Sequence, residues 1–121
     1  VHVKEFVEER ELTVMILVDM SSSLDFGTQV ESKRRLAAKL AALLAFSAIE
    51  NNDRVGLVLF TQEVERYVPP KKGRKHVLRL LSEIMAFQPT HRGTNINASM
   101  EFLLRVARRK AVAFLVSDFH D

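Results

Sequence analysis

The stretch "DMSSS" places a carboxylate, Asp19, directly after an apolar run, with hydroxyls at Ser21 and Ser23 two and four residues on. Two further oxygen donors occupy similar positions elsewhere. Asp118 follows the apolar run in "LVSDFHD" with one serine between, and Thr94 lies in "RGTNIN". Carboxylate and hydroxyl oxygens are hard ligands that suit Mg²⁺ or Mn²⁺ rather than zinc. Two acids acting through water, beside three neutral hydroxyls, would leave much of a divalent charge uncompensated. Such an ion would seek another anionic oxygen, and an Asp or Glu carboxylate of a partner protein would supply it. Each feature also has a plainer reading. An aspartate before serines can be a strand-end turn or a helix N-cap, Thr94 or Asn95 can cap the following helix, and Asp118 can be an ordinary loop carboxylate.

Distance along the chain separates these residues, so the secondary structure has to gather them. Three runs are apolar on both faces: "TVMILV" (13–18), "RVGLVLF" (54–60) and "AVAFLV" (111–116). That pattern fits parallel strands covered by helices on both sides. Helical patterns lie between them. Residues 32–50 carry a stripe of Leu36, Leu40, Leu43 and Leu44, among alanines that would let the helix approach a sheet closely, and "NND" (51–53) stops it. Residues 75–85 repeat at Val77, Leu80, Leu81 and Ile84, and residues 95–108 at Ile96, Met100, Leu103 and Ala107. "EVERYVPP" reads as a short edge strand, because Pro69 and Pro70 cannot donate to a ladder. The opening "VHVKEFVEE" alternates weakly and reads as an extra edge strand. The alternation predicts an α/β fold with a mostly parallel sheet flanked by helices. In such sheets ligands sit beyond the carboxyl ends of the strands, where Asp19, Ser21, Ser23, Thr94 and Asp118 would all fall.

Composition narrows the alternatives. The chain has 121 residues and no cysteine, which excludes a disulfide scaffold and a thiolate metal site and fits a reducing compartment. No apolar stretch reaches the roughly 18 residues of a membrane span. The net charge of +3 arises from clusters such as "SKRRLAAK", "PPKKGRKH" and "RVARRK". No stacking aromatics or recognised nucleic-acid motif accompanies them, so they read as solvated helix faces and a loop. His91 and His120 lie near Thr94 and Asp118 in sequence, but without the spacing of a histidine metal site, and Asp25 reads as a turn residue. A G-x-S-x-G elbow, a P-loop and a G-x-G-x-x-G loop are all lacking, and Ser21 stands where an aspartyl-phosphate enzyme generally wants a second acid.

"DMSSS", "GT" and a post-strand "SD" resemble the Asp-x-Ser-x-Ser, Thr, Asp pattern of von Willebrand factor A domains. The wider segments "DMSSSLDFG", "ESKRRLAAKLAALLA", "DRVGLVLFTQEVERYVPPKKGRKH" and "LVSDFHD" resemble the bacterial domain-of-unknown-function 58 branch, associated with MoxR-type AAA+ ATPases. The resemblance implies a Rossmann-like von Willebrand factor A fold with a metal-ion-dependent adhesion site. In it, Ser21 and Ser23 bind Mg²⁺ or Mn²⁺ directly, Thr94 binds directly or through water, and Asp19 and Asp118 act through coordinated waters. Few charged ligands and an open position imply weak, exchangeable binding.

The resemblance implies a non-catalytic interaction module, cytoplasmic and bacterial, accessory to a MoxR-type ATPase and recognising an acidic residue of that enzyme or its substrate. Two alternatives stand beside it: a metal-dependent hydrolase or phosphatase, and nucleic-acid binding through the basic loop at Lys71–Lys75. Residues 1–121 are expected to form one partial domain, truncated after the strand ending at Asp118. The strand "AVAFLV" would then be an open sheet edge, covered by a second copy in a homodimer.

Overall fold

Strand β1 (Thr13–Asp19) is buried on both faces and paired on both sides, and the remaining elements are arranged around it. The computed structural model describes residues 12–21, 28–88, 93–106 and 111–117, and of 28–33 the backbone alone. The opening strand, Ser23, Asp25, His91, Ala107, Asp118 and His120 lie outside the described residues. Strand β1 pairs in parallel with β2 (Arg54–Phe60), from Thr13 opposite Arg54 to Asp19 opposite Phe60. On its other side it pairs in parallel with β4 (Ala111–Val116). Strand β3 (Val64–Lys71) runs antiparallel on β2, giving the order β3-β2-β1-β4. The described residues thus form a mostly parallel α/β sheet.

The edge position of β3 accommodates Pro69 and Pro70, as expected from their missing donors. The β2–β3 register slips between Val55 and Leu57, opposite the prolines. Gly56 sits at that slip, where a Cβ would lie 2.7 Å from the sulfur of Met15 and 3.1 Å from Pro70 Cδ. A glycine lets the three strands close up there.

Helices α1 (Thr28–Glu50) and α2 (Arg74–Ala86) cover one face of the sheet and α3 (Ile96–Val106) the other. Alternation along β1 divides its side chains accordingly. Val14, Ile16 and Val18 meet Ala41, Ala45, Ala48, Val77, Leu80 and Ile84, whereas Met15 and Leu17 join Val58, Phe60 and Leu103. Tyr67 and Phe102 extend the second cluster edge to face, with centroids 5.0 Å apart. Helix α1 ends in a Schellman motif: Asp53 N–H donates to Ala48 O, Asn52 N–H donates to Ile49 O, and Asn52 adopts φ 60°. Asp53 Oδ1 then accepts from Leu12 N–H (3.2 Å), tying the helix end to the start of β1.

Two helical stripes differ from their sequence reading. Leu36, Leu40 and Leu43 are 58%, 41% and 70% exposed, while Ala41, Ala45 and Ala48 face the sheet. Close packing against a sheet selects the small side chains and turns the bulky ones outward; only Leu44 of the stripe packs partly against the core. In α3, Ser99 takes the buried place and Met100 is exposed, with Ser99 Oγ donating to Ile96 O (2.8 Å) so that its hydroxyl is satisfied. Val77, Leu80 and Ile84 of α2 are buried as their spacing predicts.

Strand β4 is an open edge among the described residues. Its register places Val112 and Phe114 on the α1 face, and both are exposed. Several basic residues make internal contacts. Arg66 pairs with Glu83 (2.7 Å), Arg34 donates to Met85 O (2.9 Å), and the Arg74 guanidinium lies 5.8 Å from the Phe46 ring centre. No described helix is long and apolar enough to cross a membrane.

Two predictions follow from this packing. Ala45→Leu overfills the α1–sheet contact and costs about 1–3 kcal/mol in urea denaturation, whereas Leu43→Lys stays within about 0.5 kcal/mol. The reverse ranking would mean that the leucine stripe faces inward. The second concerns His76, whose Nε2 donates to Val55 O (2.8 Å) from a buried position. Burial lowers its pKa below the usual 6.5, outweighing the bond to Val55 O, and the charges of Arg79 and Lys71 push the same way. The unfolded chain therefore takes up the proton first. Stability is full above the ordinary histidine value and falls as pH drops from there toward the folded value. Urea titrations across that range should show the slope, and His76→Gln should flatten it.

Candidate functional site

Because β1, β2 and β4 run parallel in register, their carboxyl ends meet at one edge. Asp19 stands opposite Phe60, and Val18 opposite Val116, so the residues following each strand are neighbours. Met20 N–H donates to Phe60 O (2.8 Å), extending the β1–β2 ladder one residue beyond Asp19 and fixing the direction in which the chain leaves.

The Asp19 carboxylate joins three segments at this edge. Oδ1 accepts the backbone N–H of Ser21 (2.9 Å), a turn closed by the aspartate's own side chain. Oδ2 accepts the Thr94 hydroxyl (2.9 Å) from the loop before α3, 75 residues away in sequence. It also accepts a longer bond from Ser117 Oγ (3.4 Å), just after β4. Asp19, the Ser21 backbone and the Thr94 hydroxyl are therefore brought together at this edge, while Ser23 and Asp118 lie outside the described residues.

Thr94 is held by its neighbour. Asn95 N–H donates to Thr61 O (2.7 Å), and Asn95 Oδ1 accepts from Ala98 N–H (3.0 Å). Asn95 therefore supplies the N-cap contact of α3, and the Thr94 hydroxyl is left for Asp19. Thr61 is fully buried directly after β2. Its N–H donates to Glu63 O (2.9 Å), and its hydroxyl donates to the Glu65 carboxylate.

Sequence reasoning missed Thr61, Asn95 as an anchor, and Ser117. The signal for two of them was present: Thr61 and Ser117 directly follow apolar runs, as Asp19 does. The rule that ligands gather just after such strands, applied to every run, selects them.

The donor chemistry fits a hard cation. A hydroxyl that gives its proton to a carboxylate presents its lone pairs away from it, and Thr94 and Ser117 both do so toward Asp19. Among the described residues no three His, Cys, Asp or Glu side chains form a metal-holding group. The described donors are thus one carboxylate surrounded by hydroxyls, the set that suits a Mg²⁺ or Mn²⁺ ion with part of its coordination filled by water.

Comparison with known proteins places the chain in a family. Uncharacterized proteins of Mycobacterium bovis and of two strains of Mycobacterium tuberculosis are each 33% identical to it over 120 residues. The match covers 98% of this chain and 38% of each relative, so the chain spans well under half the length of these proteins. No solved structure matches it. The profile of the protein family of unknown function DUF58 matches residues 1–121, and the chain belongs to that family.

Proposed function

We propose that this domain is a non-catalytic, metal-dependent protein-interaction module of the von Willebrand factor A type. The observation that carries the reading is the bond from Thr94 Oγ1 to Asp19 Oδ2, which joins two separated elements of the expected motif at the carboxyl edge of the sheet. Ser21 and Thr94, with Ser23, would hold Mg²⁺ or Mn²⁺ through hydroxyl oxygens. Asp19 and Asp118 would act through water and orient those hydroxyls. When bound, the ion supplies an electrophilic position that an acidic side chain of a partner completes. Asp19 also fixes the Ser21 turn, so one carboxylate sets the donors on two of the loops.

The partner is proposed to be a protein presenting an Asp or Glu carboxylate. A MoxR-type AAA+ ATPase or its substrate fits the resemblance, in the cytoplasm of a bacterium. Because the chain spans 38% of its relatives, these proposals concern the domain within a larger protein.

The test is calorimetric titration with Mg²⁺ and Mn²⁺. The parent chain should bind in the millimolar range or tighter, and Asp19→Ala should lose binding. Thr94→Ala should weaken binding by about tenfold or more, the usual scale for removing a group at or beside a metal ligand. Absence of heat from the parent chain across the millimolar range would rule out the adhesion-type site. With metal present, immobilised domain should also retain an acidic peptide and release it on chelation.

A further inference from the structure

Thr94 is exposed and lies in a loop, yet its hydroxyl meets Asp19 at 2.9 Å, so something outside that loop must set its height above the sheet. Helix α3 fixes one end through the Asn95 cap, but α3 lies on the sheet face and its cap alone does not place the loop against the end of β1. The second anchor is Asn95 N–H on Thr61 O, at 2.7 Å one of the shortest backbone bonds between loops here. It attaches the residue next to Thr94 directly to the residue after β2.

Thr61 is itself held at every polar atom. Its N–H closes on Glu63 O, its carbonyl receives Asn95 N–H, and its hydroxyl donates to the Glu65 carboxylate. With its side chain fully buried, it has no freedom to follow the loop. The two segments also touch at Gly93, where a Cβ would lie 3.3 Å from the exposed Gln62 side chain. The turn between β2 and β3 and the loop before α3 are therefore packed as one unit, with Thr61 at their junction.

We infer that Thr61 is a positioning residue for the site, its Glu65-anchored backbone holding Asn95 so that the Thr94 hydroxyl is presented to Asp19. Thr61 touches no ligand in this arrangement and acts through Thr94. The inference rests on the metal-site reading for its consequence, but the positioning itself exists without metal and can be measured without it.

Thr61→Val keeps the shape and removes the hydroxyl. In metal-free protein it should speed amide exchange at Asn95 about tenfold while Leu57, in the core of β2, exchanges at the parent rate. It should weaken Mn²⁺ binding about tenfold, in the range for groups that orient metal ligands. Thr61→Ser should restore both. The Thr61→Val, Thr94→Ala double variant should bind no worse than Thr94→Ala alone, because the first residue works through the second. Unchanged exchange at Asn95, or additive losses of affinity, would overturn the assignment. Should Thr61→Val fail to fold, Glu65→Gln weakens the same bond from the surface side and should give the same two shifts. A parent chain that binds no Mn²⁺ would overturn the metal reading, while exchange at Asn95 would still decide the role of Thr61.

Discussion

A single carboxylate at the end of the central strand connects this structure's loops. Asp19 receives donors from its own turn, from the loop before α3 and from the end of β4. The last two would not reach it without the parallel register, which brings the ends of β1, β2 and β4 to the same height. That register in turn depends on covering β1 on both faces, which requires helices on both sides of the sheet. The site is thus a consequence of how the core is layered, and its residues occupy the positions where the apolar strands give out.

The same arrangement accounts for the chemistry on offer. A carboxylate facing three donors is well satisfied and has little reason to leave its place. Its hydroxyl partners, having given their protons inward, present lone pairs outward. The result is a pair of neutral hydroxyl donors on one charge, a set suited to a cation that retains water and exchanges ligands rather than one enclosed by protein. The proposed interaction module would need that openness, because its final metal ligand would come from the partner.

Much of the fold was legible because its strongest signals are long. Runs apolar on both faces mark buried parallel strands, and the stripe at Val77, Leu80 and Ile84 marks a helix that packs by its large residues. Helix α1 defeated the same logic. Its leucines give the clearer period, but the sheet is approached through Ala41, Ala45 and Ala48, since contact distance rather than hydrophobicity selects the inward face. Ser99 replaced Met100 for a related reason: a small hydroxyl that bonds its own helix can be buried, whereas a long thioether is free to lie outside. At the site, Asp19 and Thr94 were visible as residue types at strand and helix ends. Thr61 stands in the same kind of place, directly after an apolar run, but the part it plays through its backbone carbonyl is one that any residue could supply and no spacing reveals.

The central claim, that Asp19, Ser21 and Thr94 form the floor of a divalent-cation site, is tested most directly by anomalous diffraction from crystals equilibrated with Mn²⁺ at millimolar concentration. The proposed site predicts one anomalous peak at the carboxyl edge of the sheet, within direct coordination distance of the Ser21 hydroxyl oxygen, with the Thr94 hydroxyl reached directly or through water and the Asp19 carboxylate through water. A peak elsewhere on the surface, or no peak while these side chains keep the same bonds, would contradict it.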